Sequence, residues 1–179
     1  MDAARAKQVE AKALDILQRH YGLTAPVDVV HIASKLGIRV LTTSFRTENN
    51  YAGMIQRKGA SGTIWVNRFD AWVRQRFTIA HELGHWMLHL TKDGTWAESA
   101  AQIAYRPQTP QSTEQEQEAN RFAAALLMPS PLVNAYLEQE IDDPAVLADI
   151  FDVSRQAMDI RIDTLREFSS TSLVAHARS

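Results

Sequence analysis

Cysteine is absent from this chain. That excludes a disulfide framework and any thiolate metal site, so a metal ion would have to be held by His, Asp or Glu. An excess of one charge is missing too. Lys and Arg number 19 against 21 Asp and Glu, a net charge of −2, which gives neither a basic nucleic-acid surface nor an acidic tail. There is no run of about 18 apolar residues, so nothing is expected to span a membrane. The opening "MDAARAKQVEAKALDILQRHYG" alternates charged and apolar side chains at helical spacing and lacks the apolar centre of a secretory signal. The expectation is a cytoplasmic protein. Repeats are missing, and the only biased stretch is a Gln/Glu-rich helix start. With 179 residues, 45% apolar and 22% charged, the chain suits one soluble globular domain, or one with a small helical appendage.

What is present reads as helices, a small sheet, then more helices. Residues 3 to 20 form an amphipathic pattern with Val9, Ala13, Leu14, Ile16 and Leu17 on or near one face. "APVDVVHIASKLG" predicts a second helix, capped by Asp28 and ended by Gly37. "IRVLTT", "YAGMIQ" and "GTIWVN" read as strands, the last two joined by the turn "RKGASG". Three strands in succession predict a small antiparallel sheet. A helical pattern runs from about Phe69 to Leu90. Residues 91 to 112 are a polar connection, and a connection that long is more often functional than accidental; a mobile cover is one role for it. "STEQEQEANRFAAALLM" predicts a helix capped by Ser112 or Thr113 and stopped by Pro129 and Pro131. Two or three short helices finish the chain, and the class is α+β.

Within the long helix, "FTIAHELGHWMLH" holds His81, His85 and His89. His81 and His85 share one helix face, about 6 Å apart along the axis, close enough for both imidazoles to meet one zinc ion. Glu82 sits about 100° round the helix and is not expected to be a ligand. It is placed to take a proton from a water activated by the ion and to pass it to a leaving amine. The competing reading is a buried helix with satisfied core histidines. Three fixed positions arise often by chance, but two imidazoles and a carboxylate on so apolar a helix would cost several kcal/mol without partners, and a metal removes that cost. Gly84 weakens a helix interior by about 1 kcal/mol, which points to close approach by another segment. His89, about 12 Å beyond His81 along the axis, is rejected as a ligand and read as a helix-end packing or dipole residue.

The third ligand then has to be a carboxylate, since the only later histidine is His176 near the terminus. Glu114, Glu116 and Glu118 are on offer. Glu116 lies in line with Ala119, Asn120, Ala123 and Leu127, a stripe of mostly small residues that would let another helix come close. Glu118 is further from the apolar face and has Arg121 at i+3 as an ordinary surface partner. Glu114 is further round still. Glu116 is the choice, with Asn120 one turn on to orient a ligand; the bland alternative for all three is a solvated helix start. Two histidines, one glutamate and an open fourth position make a catalytic set.

The paired motifs "RQRFTIAHELGHWMLH" and "EQEANRFAAALLMP" resemble the ImmA/IrrE family of zinc metallo-endopeptidases, supported by "VDVVHIASKLGIRV", "YAGMI" and "LADIFDVSRQAMDIRI". The resemblance covers most of residues 25 to 165. It implies a zincin-like domain over residues 1–130, with helices including the HExxH helix packed on the sheet, and a C-terminal helical segment over residues 131–179. It implies Zn2+ bound by His81, His85 and Glu116, with Glu82 catalytic; Glu118 stays an alternative ligand because it too precedes Ala-Asn. The implied activity is cleavage of a helix-turn-helix (Xre-type) repressor or similar regulatory protein, while other family members resemble toxin components or stress regulators.

A peptide substrate could pair with a sheet edge, for which "YAGMIQ" and "GTIWVN" are the candidates. Tyr51, Tyr105 and His89 are candidates for steadying an oxyanion. "VLADIFDVSRQAMDIRIDTL" looks like a helix-turn-helix, with a turn at Asp152–Ser154 and Ser154 as a cap. Its second helix sets Arg155, Arg161 and Arg166 against Asp159, Asp163 and Glu167, a poor balance for phosphate contacts. A hairpin packed on the core is favoured, and direct nucleic-acid binding is not expected. The rival to the peptidase is a non-proteolytic regulatory or toxin-type binding protein with a structural or sensory zinc site.

Overall fold

The computed structural model describes residues 1–45, 51–90, 94–99 and 114–176. Helix α1 (Ala3–His20) begins where the Asp2 carboxylate accepts from the Arg5 amide, and it buries Ala6, Val9, Ala13, Ile16 and Leu17 at intervals of three and four. Helix α2 (Val29–Lys35) is capped by Asp28, which accepts from the His31 amide, as its sequence predicts. The chain leaves it through Gly37 at φ 73°, a conformation that suits glycine.

Four strands follow, β1 (Ile38–Thr43), β2 (Tyr51–Lys58), β3 (Ser61–Asn67) and, after helix α3 (Trp72–Leu88), β4 (Gly94–Ser99). Their order across the sheet is β1-β3-β2-β4. β2 and β3 form an antiparallel hairpin, and β4 adds antiparallel to the far side of β2. β1, however, pairs with β3 in parallel, so the sheet is mixed and not all antiparallel. The hairpin turn forces β3 to run against β2. β3 then inserts between β1 and β2, which leaves it aligned with β1. The edges are therefore β1 and β4. "YAGMIQ" and "GTIWVN", read as candidate edges, are the two internal strands.

The remaining helices are α4 (Glu114–Leu127), α5 (Ser130–Leu137), α6 (Pro144–Phe151) and α7 (Arg155–His176). The class is α+β. Part of the expected polar connection is β4; residues 91–93 and 100–113, with the expected caps Ser112 and Thr113 and any cover built there, lie outside the described residues. The last helix is not short. It runs 22 residues because its sequence holds neither Pro nor Gly to stop it. Val133, Leu147, Phe151 and Met158 from these last helices join the same core as Val9, Ile55, Leu83 and Phe122.

The α6–α7 turn is tied to the start of α3. Trp72 Nε1 donates to Asp152 Oδ2 at 2.8 Å, and Arg76 Nε donates to the Asp152 carbonyl at 3.0 Å. Ser154 caps α7 by accepting from the Ala157 amide. Arg161 points inward, 1% exposed, and donates to the Met128 carbonyl and to Glu10. Arg121 reaches the same Glu10 at 2.7 Å. Burial alone would raise the Glu10 carboxyl, but the two guanidiniums together hold it below its ordinary value.

Candidate metal centre

Helix α3 is buried on nearly every side, from Arg76 to Trp86, and different faces meet different elements. The face carrying His81, Gly84 and His85 meets α4. An added Cβ on Gly84 would lie 3.0 Å from the Ala119 Cα and 3.3 Å from the Phe122 Cβ. The glycine thus allows the close approach that its cost in a helix implies. His81 and His85 flank it at i−3 and i+1; Glu116 and Asn120 flank Ala119 in the same way on α4. One close crossing brings the imidazoles to the carboxylate.

The resulting cluster is tight. His81 Nε2 and His85 Nε2 are 2.9 Å apart, and the Glu116 oxygens lie 3.3 Å and 3.4 Å from them. Donors of a tetrahedral zinc site with bonds near 2.0–2.1 Å sit about 3.3 Å apart, so the set fits a small divalent ion after slight opening between the two nitrogens. Among the described residues, His81, His85 and Glu116 form one group whose ligand atoms all converge this way. Exposure is 0% for both histidines and 2% for Glu116. Burial pushes His85 down to about 4 against the opposing pull of Glu116, which keeps its ring neutral, the form that ligates a metal.

The outer ring nitrogens are held as well. His81 Nδ1 lies 3.0 Å from Asn120 Oδ1. A carbonyl oxygen only accepts, so Nδ1 carries the proton and Nε2 offers its lone pair to the cluster. This is the orienting role read for Asn120. On the other side His85 Nδ1 meets His89 Nδ1 at 2.9 Å, and His89 Nε2 meets Glu118 Oε2 at 3.0 Å. With one proton on the His89 ring, Nε2–H donates to the carboxylate, Nδ1 accepts from His85, and the lone pair of His85 falls on the Nε2 that faces the cluster. His89 therefore supports a donor and does more than pack a helix end.

Glu118 is not the surface partner of Arg121 that its spacing implies. It is buried at 6% exposure, and Arg5 grips both its oxygens at 2.7 Å. The Arg5 guanidinium, with His89 assisting, holds its carboxyl down at about 2. Glu114 is exposed, as expected. Arg5, 113 positions away, left no local signal.

Glu82 is fully buried on the adjoining face of α3, beside Thr78 and against Gly53 of β2. An isolated glycine within a strand pattern signals such close approach, and "YAGMI" contained it. The side chain of Tyr51, and Tyr105 entirely, lie outside the described residues. His89 is already engaged by His85 and Glu118.

The profile of the Peptidase M78 family, described as an IrrE N-terminal-like domain, matches residues 33–163. The chain belongs to this family. As an M78 member it has a metallopeptidase-type domain, and the resemblance carried by its two motifs holds. Curated proteins include none that matches it. Among solved structures, a Mycobacterium tuberculosis transcriptional regulator is similar at a TM-score of 0.57 and 18% identity, over 85% of this chain and 45% of the regulator. The M78 chain thus spans under half of that regulator, and the likeness is one of fold.

Two predictions arise from this geometry. Gly84→Ala gains about 1 kcal/mol in helix propensity but overpacks the α3–α4 contact, at about 1–3 kcal/mol. The expected result is a net loss near 1 kcal/mol in denaturant unfolding together with weaker metal binding. A more stable variant with unchanged metal affinity would mean the crossing has slack. Glu118→Gln keeps an acceptor for His89 but loses the charge that orders the relay; zinc affinity should fall about tenfold, at the low end for groups that orient ligands. Competition with a chromogenic chelator reads this directly, and an unchanged affinity would remove the relay from the account.

Proposed function

We propose that this chain is a zinc-dependent endopeptidase of the cytoplasm that cuts a regulatory protein, with a helix-turn-helix (Xre-type) repressor as the substrate class. The observation that carries the reading is the convergence of His81 Nε2, His85 Nε2 and the Glu116 carboxylate, with Glu82 on the adjoining face of the same helix. A nitrogen and carboxylate set without thiolate suits Zn2+. An ion held there supplies Lewis acidity, lowering the pKa of water and polarising the scissile carbonyl. The chain's own residues do the rest. Asn120 and the His89–Glu118–Arg5 relay fix the ligand rings. Glu82 accepts a proton on its carboxylate from the attacking water and returns it to the leaving amine.

The partner in this reading is a protein, not a nucleic acid or a membrane. Arg161 is turned into the core, and the exposed Arg155 and Arg166 each stand beside a carboxylate. Among the described residues no helix is long and apolar enough to cross a membrane.

One observation favours a second reading. All three donors and Glu82 are within 2% of full burial, so a substrate carbonyl has no exposed surface at the cluster by which to reach them. A regulatory or toxin-type binding protein with a structural or sensory ion would look the same, and the similar fold is that of a transcriptional regulator. The test is incubation of zinc-loaded protein with the product of a neighbouring helix-turn-helix reading frame, with new N-termini read by mass spectrometry. A defined cut supports the peptidase. An intact partner that still binds, with one zinc per chain present, supports the regulator.

A further inference from the structure

Thr78 and Glu82 stand one turn apart on α3 and meet the same residue of β2. An added Cβ on Gly53 would lie 2.4 Å from Thr78 Cγ2, 2.8 Å from Glu82 Oε1 and 3.4 Å from Glu82 Cγ. We infer that Gly53 is a positioning residue whose missing side chain is the seat of the Glu82 carboxylate. The inference rests on the reading of Glu82 as the proton-transferring group.

Space alone demands glycine here. The positive-φ glycines are Gly22, Gly37 and Gly59, so Gly53 is not a residue that turns the chain. Nor is β2 at liberty to step back. Gly53 is paired with Val66 in the regular β2–β3 ladder and with Glu98 of β4 just past a register shift between Tyr51 and Gly53, and withdrawal would break the ladder to β3. Thr78 is β-branched and stiff at χ1. The group that yields to an added methyl is the end of the one long, flexible side chain present, the Glu82 carboxylate. Proton transfer needs that oxygen within hydrogen-bond reach of its partner, so β2 reaches the chemistry through a contact that touches no metal ligand.

The test pairs Gly53→Ala with Thr78→Ser, which removes Cγ2 and leaves the Glu82 contact as the main clash. The double variant is compared with Thr78→Ser alone. Gly62→Ala is the control: its Cβ would meet Trp86 at 2.6 Å, a strand-to-α3 contact of the same kind away from the site. For Gly53→Ala/Thr78→Ser, zinc affinity and KM should stay within about twofold, while kcat falls by about 100-fold or more, the scale of a lost general base. Gly62→Ala should lose stability and keep kcat. A crystal structure of the double variant gives a readout that does not depend on turnover. A carboxylate swung out of its wild-type position upholds the seat; one that has not moved, or an unchanged kcat, overturns it. If the wild-type protein cleaves nothing, the peptidase reading falls by itself, and the position of the carboxylate still decides the role of Gly53.

Discussion

Glu116→Ala weakens zinc binding by about 100-fold or more, while Glu118→Gln still takes up one ion at concentrations that saturate the wild-type protein. The size of the loss can be bounded. Structural zinc sites of four ligands are worth about 10–16 kcal/mol, or about 2.5–4 kcal/mol for each ligand. At 1.4 kcal/mol for each factor of ten, one lost ligand costs about 100-fold or more. Thermal unfolding makes this visible. At a free zinc concentration of 100 Kd the ion stabilises the native state by about 2.7 kcal/mol; a 100-fold weaker site retains about 0.4 kcal/mol. For a chain of 179 residues, with about 2–4 °C in Tm for each kcal/mol, a shift of several degrees shrinks to about one degree. The Glu116 oxygens meet both Nε2 atoms, whereas Glu118 is turned to His89 and Arg5. A zinc-induced shift that survives Glu116→Ala and vanishes in Glu118→Gln would reverse the two roles.

The parts of this site that can be read from sequence are those encoded by helical period. His81 and His85 fall on one face because they are four apart. Glu116 is distinguished from its neighbours because its stripe is built of small residues, and that property permits the close approach at Ala119. Gly84 advertises the same contact from the other helix. In each case the local pattern and the tertiary contact are one physical fact.

Other parts have no local signature. Strand period places a residue on a face but says nothing about which strand lies beside which, so β3 between β1 and β2 could not be anticipated. β4 was masked by its polar surroundings. Glu118 shows a different limit. Arg121 lies at the right spacing for a surface pair, but α1 packs alongside α4 and supplies both Arg5 for Glu118 and Glu10 for Arg121. Long-range charge pairing overrode the nearest-neighbour rule, because the buried Glu118 and the partly buried Glu10 are each met by a guanidinium from the other helix. Arg161, weighed with Arg155 and Arg166 as a phosphate contact, is a core residue.

Glu82→Gln separates chemistry from architecture more cleanly than any other change. The amide matches the carboxylate in size, so it fits the space between Thr78 and Gly53, and the three converging donors, His81 and His85 of α3 and Glu116 of α4, are untouched. Zinc stoichiometry and the zinc-induced shift in Tm should therefore be those of the wild-type protein. What is lost with the carboxylate's charge is the acceptance and return of a proton, worth about 10²–10⁴ in rate. Hydrolysis of the partner protein should fall by that factor in kcat with little change in KM, because an interaction used in proton transfer does not contribute to ground-state binding. Loss of zinc in this variant would make Glu82 a ligand. Cleavage at the wild-type rate would move the general base elsewhere. A biological effect that persists in full when cleavage has stopped would assign the work of this chain to binding, with its buried ion holding or sensing the fold.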